Sequence, residues 1–413
     1  MRLVQRLGSV AGDDPAAARI VTALIVAVFV QGVGASAVLP LLPLYLRAHG
    51  TSNGLVGAVM GSFFVAGVLT QYGAGHLTDR IGHRPVIVGG LGLYAAASLA
   101  FLATVGSGGY VALRSLQGIG AGAVQVASLA LVGLVVPAER RGRAFSAVFA
   151  AQLAGMAVGP LAGSIAGVTH LRWLFVATAA LTLTAVIPVA AGAAHAGRAD
   201  TTEGTEMPLS ISRALVGVAI VGVATGLVTG VYEACWSLLM HSRGAADWQI
   251  GLSWTLFALP FALFSPIAGR LADRLDRRWL AAAAVVASSA FAALYPFLTS
   301  VALLVGLGAV EAIGVAVAFP AAQSLLTQAA TPQTLGRAQG FFTTAETASI
   351  AVAAAVSGTL FGVARWIPFV TASLAGVAMV AVLPVLWRGL PGHADGRATV
   401  TDVPPPVPQS VPH

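Results

Sequence analysis

Apolar runs of about 18 to 25 residues recur along this chain, the length an α-helix needs to cross a hydrocarbon core about 30 Å thick. Such runs constrain the fold more than any motif does. A soluble domain carries about a quarter charged residues; this chain carries 9% charged and 57% hydrophobic residues. Reading the runs in order predicts helices over 19–46, 55–77, 86–106, 109–136, 143–167, 172–191, 213–240, 250–271, 279–298, 301–328, 337–364 and 366–387. The expected fold class is therefore all-α integral membrane, with twelve transmembrane helices. The lipid bilayer is its first partner.

The basic residues test that map. All 22 are arginine. With the N-terminus inside, four fall in outer loops (Arg47, Arg172, Arg243, Arg365), Arg114 falls within a span, and the rest lie in cytoplasmic segments. Positive residues collect on the cytoplasmic side of membrane proteins, and a missing helix would invert every later assignment. The expectation is a multi-pass plasma (inner) membrane protein with both termini cytoplasmic. The net charge of +7 sits between spans, so it points to membrane orientation and away from nucleic acid. The first run is too long, and too close to the second, for a cleavable signal peptide. Cys235 has no partner for an internal disulfide and reads as a small buried apolar residue.

The chain also repeats itself. Adding 194 to a position carries Gly50 onto Gly244, Gly57 onto Gly251, and Gly75, Asp79, Arg80 and Arg84 onto Gly269, Asp273, Arg274 and Arg278. The same offset carries Ile119-Gly120 onto Ile313-Gly314, and Gly142-Arg143-Ala144 onto Gly336-Arg337-Ala338. Two pseudo-symmetric six-helix bundles follow, over 19–191 and 213–387. They are flanked by a cytoplasmic N-terminus (1–18), a polar cytoplasmic linker (192–212) and a proline-rich, disordered cytoplasmic tail (388–413). Parallel repeats of this kind place a substrate site between the halves near mid-membrane. The halves differ in two places: Gln117 and Gln152 correspond to Glu311 and Glu346.

Four charges fall within spans: Arg114, Glu233, Glu311 and Glu346. A charge at that depth is costly, so it faces a cavity, a partner or a substrate path. Arg114, Gln117, Gln125 and Ser128 share a stripe on helix 4, and Thr225, Thr229, Glu233 and Trp236 share one on helix 7. Both stripes are candidates to line a water-filled cavity. A carboxylate that can hold a proton or a cation, but not both, supplies exchange by competition. The candidates are ranked Glu346, Glu311, then Glu233. The alternative is a structural ion pair with Arg114 or hydrogen bonding to neighbouring helices. Gly155, Gly159, Gly163 and Gly167, four apart, clear a smooth face on helix 5, and Pro160 can kink it. Ser349, Ala353 and Ser357 keep a weaker version in the second half. The eight histidines have no metal-ligand spacing. Without lysine there is no phosphate-binding Gly-rich loop ending in Lys, which argues against ATP-driven transport, and no nucleophile triad is apparent. The chain reads as a non-enzyme with no cofactor and no metal.

Gly75-His-Leu-Thr-Asp79-Arg80-Ile-Gly82-His-Arg84 resembles the loop 2–3 signature of the major facilitator superfamily. The later copy departs from it, with Asp276 where the family usually has glycine. Arg114-Ser-Leu-Gln117-Gly118 resembles the family's helix-4 motif, and Gly155-Met-Ala-Val-Gly159-Pro160-Leu-Ala-Gly163 its helix-5 motif from the drug:proton antiporter branch. The resemblance implies a secondary active transporter of the twelve-helix branch, working as a monomer by alternating access. It would exchange protons for small amphipathic or cationic compounds, with the proton gradient as energy source. Uptake of a nutrient or metabolite by symport or uniport is the alternative, and a non-transporting receptor a more distant one. Gln31 stands where many relatives carry an acid, so their coupling scheme does not transfer directly. Asp79 is expected to act as a latch, meeting a helix N-terminus or an arginine such as Arg143 or Arg337 when the inner gate closes.

Overall fold

A computed structural model describes residues 15–103, 106–192, 210–259, 275–330 and 334–388. The N-terminal segment, most of the linker, the tail, Asp273 and Arg274 lie outside the described residues. All regular structure among the described residues is helical. The bilayer explains why: with no water at that depth, a helix satisfies its own backbone polar groups.

The first helix, α1, runs Pro15–Val38 and, after a turn, Leu42–Ala48. Then come α2 (Asn53–Ile81), α3 (His83–Ala100), α4 (Ser107–Val135), α5 (Ala138–Ala166) and α6 (Leu171–Gly192). In the second half, α7 runs Arg213–Val231 and continues through a π-helical turn, Tyr232–Trp236, into Ser237–Ser242. α8 is described over 247–259. α9 (Arg277–Leu294), α10 (Val301–Ala329), α11 (Leu335–Val363) and α12 (Ile367–Val380, then Leu383–Leu386) complete the chain. Ten of the described spans are long and apolar enough to cross a membrane. The other two are α3, which opens on polar His83-Arg84-Pro85, and the partly described α8.

The helices pair alike in both halves: α1 packs on α5 and α6, α3 on α4, and correspondingly α7 on α11 and α12, α9 on α10. The repeat reaches the backbone. Gly50 and Gly244 both have φ +80°. At each, the following amide closes the preceding helix, Thr51 N–H onto Leu46 O at 3.0 Å and Ala245 N–H onto Met240 O at 3.1 Å. A β-carbon disfavours that conformation, which is why glycine stands at both positions.

The apolar core shows how the halves meet. Near the Gly50 and Gly244 turns, one cluster joins Leu42, Tyr45, Val56 and Met60 of the first half to Trp236, Leu239, Tyr295 and Phe369 of the second. Toward the other end, where Gly82 separates α2 from α3, the core splits. One cluster belongs to the first half (Val21, Leu91, Leu131, Val148) and one to the second (Leu215, Val285, Leu325, Phe342). The two bundles are joined at the Gly50 end and part toward the Gly82 end.

Candidate functional site

The joined end is built from close backbone approaches. A Cβ on Gly57 of α2 would lie 2.6 Å from Ala354 O and 2.9 Å from Gly358 N on α11, and one on Gly61 would lie 2.7 Å from Ala351 O. On the opposite side, Gly251 of α8 sits against Ser164 and Pro160 of α5, and the Thr255 hydroxyl donates to Ala157 O at 2.7 Å. Asp247, at the start of α8, accepts from the Val168 amide of the first half at 2.8 Å. Small residues let these helices touch where lipid supplies no hydrophobic drive between them. Further along, Gly73 and Gly75 of α2 and Gly336 and Gly340 of α11 would meet nothing within 4 Å. Among the described glycines, the close approaches of α2 to α11 lie at Gly54, Gly57 and Gly61 against the 351–359 stretch.

The gap between the halves forms a cavity of about 350 Å³. Its wall is mostly apolar, with Phe63, Phe64, Phe149, Met156 and Ile350. Its polar groups include Gln31, Gln71, Gln125, Ser128, Gln152, Thr343 and Thr347, with Arg114 from the first half and Glu233 from the second. A greasy wall with a few convergent polar groups suits a small amphipathic ligand.

Arg114 is held in place. Its Nη1 donates to Gln117 Oε1 at 2.9 Å, Gln117 Nε2 donates to Ser98 Oγ at 2.9 Å, and the guanidinium stacks 4.3 Å above the Phe63 ring. Glu233 Oε2 is buried without a hydrogen-bond partner. Each of the two feels the other's charge, yet no direct ion pair joins them among the described residues.

Several expected lining residues are elsewhere. Gln117 is buried behind Arg114, where it orients the guanidinium. Trp236 is buried against α8 and the Tyr295 ring that follows α9, its Nε1 donating to Ser253 Oγ at 2.9 Å. Thr225 and Thr229 turn their hydroxyls back onto carbonyls of their own helix. The π-turn explains the displacement of Trp236 from the helix-7 stripe, because side chains at and beyond it no longer follow the 3.6-residue period. Glu311 is buried inside the second bundle, where Ser288 (2.6 Å), Tyr295 (2.7 Å) and Tyr232 (3.1 Å) donate to it. Glu346 is half-buried; its backbone carbonyl accepts from the Ser349 hydroxyl at 2.7 Å, and its side-chain carboxylate makes no hydrogen bond among the described residues. It is not part of the cavity wall, although its neighbours Thr343, Thr347 and Ile350 are.

The family model that matches this chain, Major Facilitator Superfamily, covers residues 24–232 and 214–409. The chain belongs to the major facilitator superfamily. Among its relatives are an uncharacterized MFS-type transporter, YttB, of Bacillus subtilis and Multidrug resistance protein 2 of the same organism. The first is 32% identical over 39% of this chain and 40% of its own length, the second 27% identical over 39% and 40%. The aligned stretches thus span about two fifths of these relatives. Among solved structures, a point mutant of the nucleoside transporter NupG superposes with TM-score 0.74 at 14% identity, covering 89% of this chain and all of NupG; this is a likeness of fold. The chain is a multi-pass member of that superfamily and resembles its drug:proton antiporter branch.

Two MFS motifs take on definite shapes here. The helix-5 glycines turn toward α1, not toward the other half. Gly155 faces Phe29 O and Val33, Gly159 faces Ser36 and Val33 O, and Gly163 faces Ala37. The cross-half face of α5 is instead Ala157, Pro160 and Ser164. The equivalent pair in the second half has exchanged sides: Gly226 and Gly230 of α7 receive Ser349 and Ala353 of α11. In the loop 2–3 signature, α2 stays helical through Asp79 and Arg80 to Ile81, and the turn is Gly82 alone, with φ +91°. No residue before Gly82 breaks the helix. At the equivalent place, Asp276 has φ −65° and caps α9, accepting from the Arg278 amide at 2.9 Å and pairing with its guanidinium at 2.7 Å. The second turn therefore works without glycine because it does not enter the left-handed region. Asp79 is exposed and makes no ion pair among the described residues.

Proposed function

We propose that this transporter exports small amphipathic or cationic compounds across the cytoplasmic membrane in exchange for protons, with both termini in the cytoplasm. The observation that carries the reading is the cavity between the halves, where Glu233 is the only acid among the described lining residues and has a buried oxygen without a partner. An ionised carboxylate out of water is costly unless something neutralises it. A proton does so, and so does a cationic substrate, but one excludes the other. The flanking phenylalanines and Met156 take the apolar part of the ligand. Arg114 faces Glu233 from the opposite half and offsets its charge when the cavity is empty. Geometry thus moves Glu233 ahead of Glu311, which is enclosed in hydroxyls, and of Glu346, which stands beside the wall. The kinship with a multidrug resistance protein supports export over uptake.

Alternation would open the Gly50 end and close the Gly82 end. In the closed arrangement Asp79, flanked by Arg80 and Arg84, would act as a latch against the second half, with Asp273 and Arg274 as its weaker copy. The test is ethidium movement in proteoliposomes with an imposed pH gradient. Wild-type protein is expected to drive ethidium against its gradient, and Glu233→Gln to abolish the pH-driven part. Absence of gradient-driven movement, or wild-type exchange in Glu233→Gln, would overturn the proposal.

A further inference from the structure

The π-turn of α7 lies between two carboxylates. Glu233, inside the turn, is on the cavity wall; Glu311, on α10, is enclosed behind it. A π-turn inserts one extra residue and has poorer backbone hydrogen bonding than the α-helix, so it persists where side chains hold it. Both ends of this one are held. At its start the Tyr232 hydroxyl donates to Glu311, 3.1 Å from one oxygen and 3.2 Å from the other. At its end Trp236 Nε1 is bonded to Ser253. Both rings pack on Tyr295, at 6.1 and 4.9 Å between centroids, and the Tyr295 hydroxyl also donates to Glu311 at 2.7 Å. Ser288 supplies a further bond at 2.6 Å.

We propose that Glu311 is a positioning residue: through Tyr232 it holds the π-turn that aims Glu233 into the cavity, and it does not itself carry the exchanged proton. Consecutive residues of a helix, α or π, point in clearly different directions. With Tyr232 anchored to Glu311 behind the helix, Glu233 is turned toward the gap between the halves. The first half supports the same logic. Gln117, which the 194-residue offset aligns with Glu311, orients Arg114 directly. At this register each bundle uses a buried acceptor to set the charge that it presents to the cavity. An acceptor is all that the role requires, which separates it from proton carriage.

The inference rests on Glu233 being the exchanging group, so the test has one arm that does not depend on transport. In a Cys235→Ser background, Glu233→Cys is labelled with a water-soluble maleimide in purified, monodisperse protein. Adding Tyr232→Phe should slow labelling about tenfold, the factor expected for losing one hydrogen bond to a charged group, and Glu311→Leu, which removes the acceptor of Tyr232, Tyr295 and Ser288, should slow it at least as much. Glu311→Gln keeps an acceptor for Tyr232 and should label at close to the parent rate. In the transport arm, with position 233 native, Glu311→Gln should keep ethidium/proton exchange and its pH profile. Unchanged labelling in both Tyr232→Phe and Glu311→Leu refutes the positioning role. A flattened pH profile in Glu311→Gln with unchanged labelling makes Glu311 the proton carrier instead. If wild-type protein moves no ethidium, the functional reading fails while the labelling arm still decides the geometry.

Discussion

Replacing Gly57 with alanine adds one methyl group where α2 meets α11. Its carbon would sit 2.6 Å from Ala354 O and 2.9 Å from both Ala355 O and Gly358 N. All three are backbone atoms of a helix, so no side chain can swing away. Restoring ordinary contact needs a separation of roughly 0.8 Å, and a gap of that order forfeits a quarter to a half of each neighbouring dispersion well. Overpacking of this kind costs about 1–3 kcal/mol. Only the arrangement joined at the Gly50 end bears that cost; an arrangement parted there has room for the methyl. The equilibrium should therefore shift about 5- to 150-fold toward opening at that end. Spin labels at exposed Ser52 and Arg365, one on each half, with Cys235→Ser, would read the shift as growth of a longer-distance population, accompanied by slower ethidium exchange. Gly73→Ala is the control, because a Cβ there meets nothing within 4 Å. If Gly57→Ala leaves distances and transport at wild-type values, the backbone contact does not set the equilibrium and the reasoning fails.

Asp247→Ala removes the bond to the Val168 amide across the halves and should open the same end by about tenfold, as expected for a hydrogen bond to a charged group; Asp247→Asn, which keeps an oxygen, should shift the label distances much less. Gly159→Ala presses on Ser36 and Val33 of α1 within one bundle, so it should lower the unfolding temperature in detergent while leaving the distance distribution between the halves unchanged. A shifted distribution without destabilisation would return that glycine to a gating role. Asp79→Ala should slow cycling more than Asp273→Ala, because only the first copy keeps the full signature with its glycine turn; equal transport rates in the two variants would count against the latch.

The fold class was legible in the sequence because its cause is local. Each span must bury apolar side chains in lipid and satisfy its own backbone, so length and composition suffice to find it. The duplication was legible too, since one offset aligns Gly50 with Gly244, and the backbone adopts φ +80° at both. The four intramembrane charges could be picked out by cost alone. Their roles could not, because a role depends on which neighbours face a side chain. Helical periodicity put Trp236 and Gln117 on the cavity stripes, while packing turned one toward Ser253 and the other toward Ser98. The π-turn, which ends the period at Tyr232, leaves no mark in residue spacing.

By itself, the sequence determined a helical membrane chain, its duplication, and which residues are too polar for lipid to leave idle. Tertiary structure alone decided that the helix-5 glycines face α1, that the halves are joined at the Gly50 end, and that Glu233, not Glu346 or Glu311, shares the cavity with Arg114. The reason is physical. Transfer into a bilayer is a sum over a segment's own residues, whereas a buried charge takes its meaning from atoms that the chain brings to it from far along the sequence.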